Sequence, residues 1–201
     1  MRRLYHLLFV TWARLTARAP RRSHVDIGDG VLFYGRPLIN TVRGSRVQIG
    51  DGASLVSRVS RNPLGVNHRV VIRTLLPGAE ILIGAGTGIS GGAICAATSV
   101  RIGSGCLFGA NVTVVDTDFH PISSPTRAAD PIPTPRPDDR VVIGDNVFVG
   151  TGATILKGVS IGDNCVIGAG AVVTRSCGPG TIVAGNPAKQ VGVVDVRAGV
   201  E

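Results

Sequence analysis

Between residues 143 and 173 a branched apolar residue returns at every sixth position: Ile143, Val149, Ile155, Ile161, Ile167 and Val173. Two residues before each stands another apolar or small one: Val141, Val147, Ala153, Val159, Cys165 and Ala171. Side chains two apart on an extended strand face the same way, so each six-residue unit sends a pair inward. The residues between them (Val142, Phe148, Thr154, Ser160, Val166, Val172) face outward. An amphipathic helix would need a period near 3.6, which this segment lacks. An antiparallel sandwich gives no reason for a fixed six-residue spacing. Gly144, Gly150, Gly152, Gly158, Gly162 and Gly168, with Asn146 and Asn164, crowd the positions after the anchors, as tight corners require. The repeat therefore predicts an all-β chain wound as a parallel β-helix, each unit forming one side of a coil.

The same lattice runs back through Val100/Ile102, Cys106/Phe108 and Val112/Val114, and through Ile81/Ile83, Thr87/Ile89 and Ala93/Cys95. It reappears as Val25/Ile27, Val31/Phe33, Val47/Ile49 and Ala53/Leu55, while between Val56 and Pro77 the pattern does not fix a register. Hydrophobic residues make up 44% of the chain and aromatics only 4%, so the core must be filled by Val, Ile, Leu and Ala. All four cysteines (Cys95, Cys106, Cys165, Cys177) fall on predicted inward positions, as small hydrophobes in a reducing, cytoplasmic setting. No CxxC pair or metal-ligand spacing is present.

The formal charge is +8, but with no nucleic-acid motif and no aromatic platform for bases, nucleic acid ranks last among anionic partners. No segment has the length of a membrane-spanning helix. The apolar run from Leu4 to Ala13 is short and followed by a poor cleavage site, so it reads as retained rather than as a signal peptide. Leu4, Leu8, Trp12 and Leu15 recur at helical spacing among six arginines in residues 2–22. Two readings of such a short helix stand: a cap over the open end of the solenoid, or a peripheral contact of residues 2–20 with the anionic cytoplasmic face of a membrane. The chain thus divides into a basic N-terminal helix (1–22), a β-helix (23–190) with an expelled loop (115–140), and a tail (191–201).

The repeat stops after Val114 and resumes at Val141. The polar, proline-rich stretch between them holds His120, the only histidine after residue 69, beside Asp116, Asp118 and Phe119. A loop expelled from a regular solenoid is a place where function resides. A histidine near carboxylates suits general-base work, since a carboxylate can fix its tautomer.

The repeat IGDNVFVGTGATILKGVSIGDNCVIGAGAVVTRS, the loop GANVTVVDTDFHP and the terminal VAGNPAK together resemble the hexapeptide-repeat acyltransferases. Within them the chain is similar to the maltose and galactoside O-acetyltransferase branch and to polysaccharide O-acetyltransferases, from about Ile81 to Lys189. The resemblance implies a left-handed coil, an exception to the right-handed crossover rule, and a homotrimer with sites between subunits. It implies transfer of an acyl group from acetyl-CoA to a hydroxyl of a small-molecule sugar or glycan precursor, with His120 as base, Asp116 or Asp118 orienting it, and no metal. Phe148, Thr151, Ala169, Thr174, Arg175 and Lys189 match the coenzyme groove. Gly150 and Gly152 would leave room for a pantetheine arm, and Arg175 and Lys189 suit its phosphates. Where the branch often carries an acceptor-holding asparagine, this chain reads GISGGAI, with Ser90 offering a hydroxyl instead.

Two alternatives share the repeat. A hydrolyase of the γ-carbonic anhydrase type needs three zinc-bound histidines, whereas His6, His24, His68 and His120 include no closely spaced pair. A non-catalytic structural solenoid would leave the histidine loop without a purpose.

Overall fold

The computed structural model describes residues 24–195; the helix expected over residues 1–22 lies outside them. The chain winds into a left-handed parallel β-helix of triangular section. The first coil is β1 (Val25–Ile27), β2 (Leu32–Tyr34) and β3 (Leu38–Asn40). The second is β4 (Arg46–Ile49), β5 (Ser54–Val56) and β6 (Val71–Thr74), the third β7 (Glu80–Ile83), β8 (Gly88–Ser90) and β9 (Ala93–Ala96). The fourth is β10 (Ser99–Ile102), β11 (Leu107–Ala110) and β12 (Thr113–Val115). After the expelled loop come β13 (Val141–Ile143), β14 (Phe148–Val149) and β15 (Thr154–Ile155), then β16 (Ser160–Ile161), β17 (Val166–Ile167) and β18 (Val172–Val173). Each coil gives one strand to each of three sheets, and equivalent residues pair from coil to coil. In the first sheet Val47 lies opposite Ile81, Ile81 opposite Val100, and Val100 opposite Val141. All four are fully buried, each contributing on the order of 1.5–3 kcal/mol of apolar burial. A final hairpin, β19 (Thr181–Gly185) and β20 (Ala188–Val193), closes the C-terminal end; β19 continues the second sheet in parallel and β20 returns antiparallel. No helix among the described residues is long and apolar enough to cross a membrane.

The predicted inward pairs from Val141 to Val173 are all buried. One predicted pair is not inward. In the third coil Ile94 and Ala96 point into the core, and Ala93 and Cys95 face outward, half-buried. The cause is a side one residue short. Ile89 pairs with Phe108, yet Ser90 pairs with Ala110 rather than Gly109, and Ile94 pairs with Val114. Because side chains alternate with period two, losing one residue swaps the faces along the strand that follows. Of the other cysteines, Cys106 and Cys165 are buried, while Cys177 is half-buried against the end of the core.

The stretch without a legible register proves to be a second excursion. Residues 57–70 leave the corner between the second and third sheets, and the lattice resumes with Val70 and Ile72 inward, Ile72 pairing with Ile39 and Ile94. The excursion packs on the third coil: a Cβ at Gly91 would lie 2.5 Å from the Cβ of Val66. At the far end, β20 runs past the expected domain limit at residue 190, and Val194 N–H donates to the Gly180 carbonyl at 2.7 Å.

Two neighbouring glycines give a test of how tightly the coils stack. A Cβ on Gly150 would lie 2.5 Å from the backbone nitrogen of Ala169 in the next coil, whereas one on Gly152 meets nothing within 4 Å but sits at φ +69°. Gly150→Ala is expected to cost roughly 3 kcal/mol through overpacking, and Gly152→Ala about 1 kcal/mol through left-handed strain. Urea unfolding of the two variants measures the difference; equal losses would contradict the stacking.

Candidate active site

The expelled loop leaves the corner between the third and first sheets after β12. Its base is an anchored carboxylate. Asp116 is buried and accepts the backbone N–H groups of Ala97, Thr98 and Ser99 at 2.6, 2.7 and 2.7 Å, the corner of the preceding coil. Burial pushes its carboxyl above the ordinary value, against the pull of those amides. On the other side stands Lys157, in the corner that follows β15. Its ammonium lies 2.6 Å from Asp118 Oδ2 and 3.5 Å from Asp139 Oδ1. The hydrogen bond from Lys157 to Asp118 pushes the ammonium above the usual lysine range. This stabilisation is complete below that range and lost only as pH rises through the raised value.

His120 is exposed at the start of the loop tip. Its backbone N–H donates to the Asp118 carbonyl at 2.7 Å, and its Nδ1 lies 3.0 Å from the carbonyl oxygen of Arg127. A carbonyl can only accept, so Nδ1 carries the proton and, in the neutral ring, Nε2 keeps the free lone pair. Arg127 knits the tip to itself as well, its Nη2 donating to the Ile122 carbonyl at 2.9 Å and its Nε to that of Ser124 at 3.4 Å. The expectation that Asp116 or Asp118 orients the imidazole therefore gives way to a different arrangement. Asp116 is committed to three amides, Asp118 to Lys157, and a main-chain carbonyl serves the ring. Sequence reasoning missed Arg127 and Lys157; the one available signal for Arg127 was its place as the single arginine or lysine between Val115 and Pro135.

The remaining site residues fall on separate edges. Ser90 is half-buried at the corner between the second and third sheets, beside Gly91 and the excursion of residues 57–70. It lies across the width of the third sheet from the corner that carries the His120 loop, roughly 13 Å for a four-residue strand. Phe148 faces outward on the second sheet, 49% exposed, in a row with Leu107 and Val166. Thr151 and Ala169 occupy successive turns of that same corner, where Gly170 N–H donates to the Thr151 carbonyl at 2.8 Å. Gly150, expected to leave space for a ligand, instead has its space filled by Ala169; Gly152 is open. Thr174 and Arg175 lie at the opposite corner of the sixth coil. Arg175 and Lys189 do come together, lining one cleft of about 350 Å³ with Val173, Cys177 and Ala188. Cys95, though outward-facing, is a poor nucleophile because burial pushes its thiol up. Among the described residues no group of three His, Cys, Asp or Glu side chains is placed to hold a metal ion.

Comparison with known proteins agrees with this picture. Residues 140–175 match the six-repeat bacterial transferase hexapeptide model, and residues 99–118 the hexapeptide repeat of succinyl-transferase. A provisionally named acetyltransferase of Dictyostelium discoideum is 44% identical over 99 residues, covering 49% of this chain and 50% of that protein. The chain thus spans about half the length of that curated relative. Among solved structures, the polySia-specific acetyltransferase NeuO is 25% identical over 88% of this chain and 89% of its own, with a TM-score of 0.51. A galactoside acetyltransferase in complex with coenzyme A is 25% identical over 86% and 67%, with a TM-score of 0.54. The fold alone is shared with a mutant of the Bacillus cereus N-acyltransferase AntD bound to dTDP and coenzyme A: 16% identity, 86% and 84% covered, TM-score 0.65.

The anchoring of the loop can be tested apart from any activity. Asp116→Ala strands three amides at the corner of the third coil and should lower stability by about 2–4 kcal/mol. Thermal and urea unfolding measure it; a change under about 0.5 kcal/mol would mean that water replaces the carboxylate without loss.

Proposed function

We propose that this chain is an O-acyltransferase that moves an acetyl group from acetyl-CoA to a hydroxyl of a sugar or glycan precursor, with His120 as general base. The observation that carries the reading is His120 itself: exposed, held through Nδ1 on a main-chain carbonyl, and so with Nε2 as the lone-pair nitrogen of its neutral ring, on a loop expelled from a hexapeptide solenoid. The likeness to a galactoside acetyltransferase bound to coenzyme A and to NeuO supports the donor and the acceptor class.

Nε2 takes the proton of the acceptor hydroxyl as its oxygen attacks the thioester carbonyl. The tetrahedral adduct collapses with cleavage of the C–S bond, and the imidazolium returns its proton to the leaving thiolate, giving the ester and free coenzyme A. The Arg127 carbonyl stabilises the imidazolium in between, since Nδ1 remains a donor throughout. Arg175 and Lys189, two cations on one cleft, suit the donor's phosphates. Ser90 and the His120 loop stand at opposite edges of the third sheet, which suits a site shared between copies, and we take the assembly to be a homotrimer.

His120→Ala should lower kcat by about 10²- to 10⁴-fold with little change in acetyl-CoA binding. Thiol release from acetyl-CoA in the presence of a panel of sugars and glycan precursors reads both the loss and the acceptor. Near-normal turnover by the variant would end the mechanism, and an absence of coenzyme A binding would favour a structural solenoid. Light scattering should give three times the 20.7 kDa chain mass; a stable, active monomer would exclude the shared site.

A further inference from the structure

The structure contains a second group that bears on the base, and the inference rests on the reading of His120 just given. We propose that Lys157 is a positioning residue for His120, clamping both stems of the expelled loop so that the imidazole meets the acceptor hydroxyl in one orientation. Among the described residues the polar partners of the Lys157 ammonium are Asp118 and Asp139, not the ring, so it acts through the loop.

Three observations carry this. First, one ammonium serves two carboxylates from opposite stems: Asp118, two residues before His120, at 2.6 Å and Asp139, at the loop's end, at 3.5 Å. Lysine's three N–H donors make this possible. Second, both stems carry main-chain bonds at the same place. The Asp118 carbonyl accepts the His120 N–H at 2.7 Å, and the Asp139 carbonyl accepts the N–H of Gly158, the residue after Lys157, at 2.9 Å. Asp139 also uses Oδ2 to accept the Arg136 N–H at 2.8 Å, so the second stem is ordered up to its junction. Third, the tip is bound to itself through Arg127. A self-knit tip moves as a unit, so its seat on the solenoid is decided at the stems.

The plain alternative is an ordinary surface ion pair, which contributes little. The side chains of Lys157, Asp118 and Asp139 are 36%, 31% and 17% exposed, so the group is shielded in part rather than fully solvated. Closing a loop of this length at one point also removes freedom that an isolated pair would not. A displacement of the base by about 1 Å is enough to cost on the order of 100-fold in rate.

The test compares Lys157→Ala, Lys157→Arg, His120→Ala and the double variant Lys157→Ala/His120→Ala in acetyl-CoA turnover with the best acceptor of the panel. Trypsin cleavage after Arg127 is followed in parallel. Lys157→Ala should lower kcat about 10- to 100-fold with the KM for acetyl-CoA held within about twofold, and should speed cleavage after Arg127 several-fold. Lys157→Arg should restore most of both. In the His120→Ala background the lysine change should cost nothing further, because a residue that acts only through the base has nothing left to position. Equal losses in the two backgrounds would assign Lys157 a general structural role and overturn the proposal. So would a normal kcat in Lys157→Ala when His120→Ala is inactive, which leaves the base intact. A normal kcat in His120→Ala removes the base and the proposal with it. If Lys157→Ala aggregates, Asp118→Asn opens the same contact from the carboxylate side and is held to the same outcomes.

Discussion

The parallel ladder that sets each coil's inward residues directly over those of the coil before governs the rest of the molecule. A coil that stacks at one strand spacing can pack only if its inward residue meets an equivalent of similar shape, and β-branched side chains do this with little entropy to lose. The column Ile49, Ile83, Ile102, Ile143, Ile161 is the result, paired residue to residue along the first sheet. No strand of such a ladder can absorb an insertion without breaking its pairing. A single residue such as Gly109 shifts the register within a strand, while longer insertions leave at corners, as both excursions do.

A corner is also where backbone amides lack a neighbour in the ladder, and the chain meets this need with side chains from adjacent coils. Asp29 N–H and Ser104 N–H are taken up by Asp51 and Asp145, and Asp145 N–H by Asp163, at 2.7–2.8 Å. Asp116 performs the same task at a different corner, for three amides. What looked like an acidic partner for the histidine is thus an element of the scaffold. The histidine is left with a neutral main-chain partner, which fixes its tautomer without adding a fixed negative charge beside the ring.

How much of this was legible in the sequence follows from the same physics. Burial on one face imprints a period, so the coils could be read for any run with an intact lattice, including every pair from Val141 to Val173. A side shortened by one residue between Ile89 and Ser90 leaves the composition untouched yet reverses the faces of the next strand, and so Cys95 was misplaced. The second excursion hid Val70 and Ile72 because fourteen residues of loop separate them from the preceding anchor. His120 stood out as the lone histidine in an expelled segment. Arg127 and Lys157 did not. Arg127 meets the ring through its main-chain carbonyl, which its side chain does not advertise. Lys157 reaches the loop from a corner of the next coil, a contact that depends on tertiary closure and prints no period. Gly150 looked like open space in one dimension, while in three its neighbour is Ala169 of the next coil.

The C-terminal hairpin has a consequence for how such molecules behave in a crowd. Stacked parallel coils expose, at their last layer, strand edges that could template another chain, much as a growing fibre does. Here the outermost strand of the second sheet is β20, which runs against the direction of every coil beneath it. An incoming parallel coil would find one of its three edges with reversed polarity, so its hydrogen bonds could not all form in register. The chain thereby ends its own lattice at that pole, and propagation from that end into filaments is frustrated by geometry rather than by charge.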